Sequence, residues 1–186
     1  ILQDTIATLT NAGYQFIGMD HFAQPDDELA VAQRKGILHR NFQGYTTQGE
    51  CDLVGFGVSA ISMIGDAYAQ NQKELKKYYA QVNEQRHALW KGVALDGDDL
   101  LRREVIKQLI CNFKLDKVSV ETEFDVEFNH YFKEDLELLQ TFINDELVEV
   151  DDKEIRVTLR GRLLIRNICM CSVSYTHLTL PTMELV

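Results

Sequence analysis

The chain has 186 residues, of which 45% are hydrophobic and 26% charged, and a formal net charge of −10. That length suffices for one sizeable core, or for a small domain plus a piece of another, while the negative balance repels phosphate backbones and argues against nucleic acid as a partner. No stretch approaches the ~18 apolar residues of a membrane span, and the four scattered cysteines (Cys51, Cys111, Cys169, Cys171) are too sparse for a secreted disulfide framework, so a reducing cytoplasm is expected.

The chain starts at Ile1 without a Met and runs directly into a helix-like stretch at residues 4–12 that ends at Gly13; an upstream element is expected to be missing. Tyr14-Gln-Phe-Ile-Gly-Met19 reads as a short buried strand. Asp20 and His21 follow where such a strand would end, a place where α/β folds put functional side chains. Pro25-Asp-Asp-Glu28 opens a helix, with acidic residues favoured in its first turn. Residues 36–49, rich in Gly, Asn, Gln and Thr, read as an ordered loop. Asp52-Leu-Val-Gly-Phe-Gly-Val-Ser-Ala-Ile-Ser62 reads as a second strand with a ligand-facing edge, because Gly in a strand marks close approach of a ligand or another backbone.

After about Asp66 the pattern turns helical, with Asn71 as a cap and Leu75, Tyr78, Tyr79 and Val82 on one side. A domain boundary is placed near residue 68. Residues 96–115 form an amphipathic helix capped by Asp98, with Leu101, Val105, Ile106, Leu109, Ile110 and Phe113 on its buried face. Shorter helices follow at 120–124 and 130–143, then a strand, a polar turn and a strand over 147–157, and a last helix capped by Thr158 and running through Cys171. Three helices, a hairpin and a closing helix suggest a winged-helix arrangement. Residues 172–186 break from this pattern and are read as a non-native tail.

Four strings carry a family resemblance: Gly18-Met-Asp-His-Phe-Ala23, Leu38-His-Arg-Asn-Phe-Gln-Gly-Tyr-Thr-Thr47, Gly55-Phe-Gly-Val-Ser-Ala-Ile-Ser62 and Gly161-Arg-Leu-Leu-Ile-Arg-Asn-Ile168. In sequence and order they resemble the C-terminal portion of oxygen-independent coproporphyrinogen III dehydrogenases, the radical S-adenosylmethionine (SAM) coproporphyrinogen oxidase family. The resemblance implies an α+β chain: residues 1–67 would close a partial β/α radical SAM barrel, and residues 68–171 would form the mainly helical, winged-helix-like C-terminal domain. It further implies an enzyme of haem synthesis that decarboxylates coproporphyrinogen III propionates to vinyl groups, giving protoporphyrinogen IX without oxygen. Related radical SAM haem chaperones, or a non-catalytic winged-helix binding module, are the alternative.

The family's cofactors are a [4Fe–4S] cluster and a pair of SAM molecules, with an external electron donor. The cluster is held by a CxxxCxxC loop. Here Cys169 and Cys171 are too close for that motif while Cys51 and Cys111 stand alone, so the cluster ligands are expected in the missing N-terminal barrel half and this chain alone is expected to be inactive, with no metal ligand of its own. On matched positions, Ile61 resembles the contact to the second SAM, and Phe42 and Gln43 resemble residues lining the active-site cavity. No catalytic residue is assigned. Asp20 and His21 suit either acid–base work or a structural pair, and Arg40 could fork onto a propionate. The family resemblance implies a monomer. Around the 147–157 hairpin, Arg156, Arg160, Arg162 and Arg166 could suggest a DNA-binding wing, but Glu149, Asp151, Asp152 and Glu154 surround it with negative charge, so a solvated surface is expected.

Overall fold

The computed structural model describes residues 2–173, with side chains from residue 4. Contacts divide it into two compact units: residues 2–49 with 101–173, and residues 50–100. Among the described residues every strand pair is antiparallel.

In the first unit α1 (Leu2–Asn11) leads into a hairpin of β1 (Gln15–Gly18) and β2 (His21–Ala23). The strand expected over 14–19 is present, but its partner is the next strand. Asp20 and His21 therefore sit at a hairpin turn and not at the end of a parallel barrel strand. Gly18 is required there: it has φ +153°, and a methyl group on it would lie 2.3 Å from the Tyr45 hydroxyl. α2 (Glu28–Arg34) begins as its sequence dictates, with Asp27 Oδ1 accepting from the Leu29 N–H at 2.9 Å. Residues 36–49, expected as a loop, contain a second hairpin, β3 (His39–Asn41) and β4 (Gly44–Thr46). Asn41 makes its turn, since its side-chain oxygen accepts from the N–H groups of Gln43 (2.8 Å) and Gly44 (3.3 Å).

The second unit is a sheet of β5 (Ile61–Ile64), β6 (Ala67–Asn71) and β7 (Leu89–Ala94) in that order, with α3 (Leu75–Gln85) between the last two. The strand expected over 52–62 is mostly loop. Only Leu53 bridges to Met63, and Gly57 and Ser59 hold φ of +100° and +59°, which an extended strand does not accommodate. Asn71, expected as a helix cap, ends β6 instead, and α3 starts after Glu74. The position near residue 68 where a boundary was expected falls inside β6.

α4 (Gly97–Asn112) opens with a reciprocal cap: the Asp99 N–H donates to Asp96 Oδ1 (2.9 Å) and the Asp96 N–H to Asp99 Oδ2 (3.2 Å). The cap is thus Asp96 and not Asp98. There follow β8 (Lys114–Asp116), α5 (Lys117–Phe124), α6 (Phe128–Tyr131), α7 (Lys133–Asn144), the hairpin β9 (Val148–Val150) and β10 (Glu154–Val157), a 3₁₀ turn over Gly161–Leu164 and α8 (Ile165–Met170). Thr158 does cap this last segment, its Oγ1 accepting from the Gly161 N–H at 3.1 Å. The three-residue strand β8 went unseen in the sequence, and it adds to the hairpin in the order β8-β10-β9. Helices and short antiparallel sheets together make the α+β chain expected.

The core of the first unit is built on α4. Leu101, Val105 and Leu109 are at most 2% exposed, as are Leu115, Phe128, Phe132, Leu139, Ile155 and Ile168, and the rings of Phe128 and Phe132 lie 4.7 Å apart. Ser172, placed by sequence in a non-native tail, is 4% exposed and its carbonyl accepts from Arg102 Nη1 at 3.1 Å. The rest of that tail, from residue 174, lies outside the described residues.

Candidate functional site

Two hairpin tips of the first unit meet through Tyr45. Its ring stands edge-on to His21, with centroids 5.1 Å apart, its hydroxyl donates to the Ile110 carbonyl at 3.3 Å, and the Arg40 guanidinium lies 5.7 Å from its ring centre. Burial, reinforced by the nearby Cys111 thiol, pushes the Tyr45 hydroxyl up to about 12, so it remains a neutral donor. His21 Nδ1 lies 2.8 Å from Asp20 Oδ1, an ion pair when the imidazole is protonated. Beneath them Gln33 fixes β1: its Nε2 donates to the carbonyls of Ile17 (2.5 Å) and Cys111 (2.8 Å), and its Oε1 accepts from Gln15 at 2.9 Å.

Phe42 and Gln43 form the tip of the β3–β4 hairpin, with Phe42 53% exposed and Gln43 exposed. Their backbone is held by the Asn41 turn, so two surface side chains project from a rigid support. His21 reaches the same hairpin, with its Nε2 3.5 Å from where a Cβ on Gly44 would sit. The turn at Met19 and Asp20 lines a cavity of about 310 Å³ together with Arg162, Ile165, Arg166 and Asn167.

Ile61 lies in the second unit, half-buried at the start of β5 and opposite Gln70. The glycine-rich loop before it is fastened from below. Asn71, 9% exposed, donates through Nδ2 to the carbonyls of Gly55 (3.2 Å) and Gly57 (2.9 Å). Ser62 Oγ accepts from the Gly55 N–H (3.0 Å), and the Ser59 N–H donates to the Gln72 carbonyl (2.8 Å). A methyl group on Gly55 would lie 2.8 Å from the Ile61 carbonyl, so loop and strand pack backbone to backbone. The loop presents Phe56, 89% exposed, on a fixed main chain, and this preorganised apolar edge fits a ligand with an apolar face.

Burial pushes the Cys111 and Cys169 thiols up to about 12 and also raises Cys171. Cys51 is exposed in the other unit, and no group of three or more His, Cys, Asp or Glu among the described residues could hold a metal ion.

Sequence reasoning singled out Phe42, Gln43 and Ile61; it gave no role to Tyr45 or Gln33, and it read Asn71 as a helix cap and not as the amide that holds the loop before Ile61. An Asn at the end of an apolar strand was the one available signal, because a buried amide needs carbonyl acceptors.

Comparison with known proteins fits this architecture. Residues 95–164 match the HemN C-terminal domain. Over 175 residues, 94% of the chain, the sequence is 69% identical to the oxygen-independent coproporphyrinogen III oxidase of Escherichia coli (strain K12), covering 38% of that protein. The sequence is thus similar to the C-terminal part of oxygen-independent coproporphyrinogen III oxidases. The relative in Synechocystis sp. is 52% identical over 179 residues, again across 94% of this chain and 38% of the relative. The solved structure of the Escherichia coli coproporphyrinogen III oxidase, HemN, described as a radical SAM enzyme, superposes with a TM-score of 0.90 at 69% identity, covering 94% of this chain and 40% of that one. The chain thus spans under two fifths of the length of these curated relatives, 38% in both.

Proposed function

We propose that this chain is part of an enzyme that oxidatively decarboxylates propionate side chains of coproporphyrinogen III to vinyl groups, giving protoporphyrinogen IX without oxygen. The observation that carries this is the 69% identity to an oxygen-independent coproporphyrinogen III oxidase, sustained over 94% of the chain. In the longer protein the [4Fe–4S] cluster and SAM supply radical hydrogen abstraction from the propionate. This chain supplies part of the barrel around that chemistry and the C-terminal domain that follows it. The cluster's ligands lie in a part of the protein beyond this chain, since no three cysteines here have the spacing of a CxxxCxxC loop.

This chain's residues bind and orient. Ile61 borders the second SAM, at the end of a loop that Asn71 holds in place. Phe42 and Gln43 line the cavity wall from a turn that Asn41 makes rigid, so the ligand meets side chains that need no reorganisation. The enzyme works as a cytoplasmic monomer with an external electron donor; no helix among the described residues is long and apolar enough to cross a membrane.

The test is an anaerobic assay of the chain joined to a family barrel half, with SAM, reductant and coproporphyrinogen III. Protoporphyrinogen IX with loss of carbon dioxide is expected. A reconstituted, cluster-bearing enzyme that releases no carbon dioxide from this substrate contradicts the reading. Iron reconstitution of the 186 residues alone should leave no stoichiometric cluster, and an EPR-active one would overturn the placement of its ligands.

A further inference from the structure

Several basic side chains of residues 101–160 are paired with carboxylates. Arg102 pairs with Asp135, Lys107 with Glu104, Lys114 with Glu154, Arg156 with Glu149 and Glu154, and Arg160 with Glu146. Such matching is what a chain of net charge −10 makes easy. Arg162 and Arg166 break the pattern: among the described residues neither guanidinium has a carboxylate partner, and both line the cavity of about 310 Å³ closed on its other side by the Met19–Asp20 turn. Asp20, in the same lining, does not neutralise them; its carboxylate contacts His21 at 2.8 Å and is 84% exposed.

Arg162 is the more constrained of the two. Its guanidinium lies 4.4 Å from the Phe113 ring centre, within cation–π range. Its Nε is buried without a hydrogen-bond partner among the described residues, and burial lowers its proton affinity. A buried charged donor left unmatched is costly, and an entering anion would relieve that cost. Arg166 stands one helical turn further on, so both guanidinium groups address the same opening, with Asn167 beside them and Ile165 as an apolar wall. Two planar forks, an amide and an apolar wall in a volume of this size suit a carboxylate on a short hydrocarbon arm better than a spherical ion.

We propose that Arg162 and Arg166 form a carboxylate-binding site that holds a propionate side chain of the tetrapyrrole. This rests on the substrate reading above and goes beyond it by giving a ligand to two arginines that the sequence reading assigned to a solvated surface. The site is a positioning element: holding one propionate fixes which other side chain of the macrocycle is presented for reaction.

The probes are coproporphyrin III, a stable porphyrin with the same propionates, and its tetramethyl ester, each titrated by fluorescence against the 186-residue chain. The free acid should bind, and its affinity should fall at least about tenfold in Arg166→Gln and in Arg162→Gln, while Arg156→Gln, on the β9–β10 hairpin, leaves it unchanged. The ester should bind weakly and equally to all four proteins. Arg166 is exposed, so its variant keeps the fold, which circular dichroism checks, and the result does not hang on Arg162→Gln folding. Unchanged affinity in Arg166→Gln, equal binding of acid and ester, or no binding of the acid by the parent chain overturns the site. The substrate reading fails separately: in that case the charge-dependent binding persists while the barrel-joined enzyme releases no carbon dioxide from coproporphyrinogen III.

Discussion

Residues 101–173 and residues 50–100 are stabilised in different ways. The first segment buries large apolar side chains in layers, from Leu101 on α4 through Phe128 and Phe132 to Ile168 on α8, each at most 2% exposed. In the second, Ala88 is the only buried hydrophobic residue among those described, and the other buried side chains are the polar Ser62 and Asn71. Its larger apolar groups face outward: Val54, Phe56, Leu75 and Tyr79 are each at least 55% exposed. One region is held by the hydrophobic effect, the other by strand ladders and an amide beneath a glycine loop. The difference explains where function can sit, because a packed core resists side-chain change whereas a hydrogen-bonded loop with exposed apolar residues leaves them free for a ligand or for the rest of a longer protein.

The comparison can be broken most forcefully at Leu109. Cutting it to Ala should destabilise the chain by about 2–5 kcal/mol, read as a large drop in the thermal midpoint; a loss below about 1 kcal/mol would mean that α4 does not anchor the core. Next comes Asn71→Ala, which strips the Gly55 and Gly57 carbonyls of their donor and should cost about 1–3 kcal/mol. Its signature is local. Protease cutting and amide exchange within residues 53–60 should accelerate while α4 and α7 stay protected, and equal acceleration in both regions would show that they are not energetically distinct.

Alkaline pH sharpens the same contrast. The Cys111 and Cys169 thiols ionise near 9 when unfolded and near 12 when folded, and Tyr45 shifts from 10 to about 12. Above pH 9 the unfolded state releases protons that the native state retains, so stability is full below that pH and falls progressively toward 12. A denaturation midpoint that stays flat across that window would contradict the burial. In the same experiment exposed Cys51 should be alkylated by iodoacetamide at pH 8 in the native protein while Cys111 and Cys169 are spared. The smallest effect belongs to Leu75→Ala on α3: at 58% exposure it should change stability by no more than about 0.5 kcal/mol.

Much of the first unit was legible because its signals are local and periodic. The apolar spacing from Leu101 to Ile110 specifies α4, Asp27 specifies a helix start, and the polar turn between Val150 and Glu154 specifies a hairpin. The second unit was harder for a physical reason. Gly57 and Ser59 interrupt an apolar run with positive φ, so a stretch that reads as strand folds as loop, and Asn71 reads as a cap when its partners are carbonyls fourteen and sixteen residues back. The candidate site residues Phe42, Gln43 and Ile61 came from family strings, whereas Arg162 and Arg166 read as solvated surface: what distinguishes them is a shared cavity without a carboxylate partner among the described residues, which only the fold reveals.

Ile61 is assigned to ligand contact and Leu109 to the core. The direct test is a pair of substitutions in the enzyme restored to full length, Ile61→Asp and Leu109→Ala, each read for folding, SAM binding and propionate decarboxylation. Ile61→Asp should keep its fold and iron content while losing SAM binding and turnover, because a carboxylate at a desolvated cofactor contact is unfavourable; Leu109→Ala should lose stability first and activity only with it. Normal SAM binding and normal decarboxylation in Ile61→Asp would return Ile61 to an ordinary strand residue and contradict the assignment.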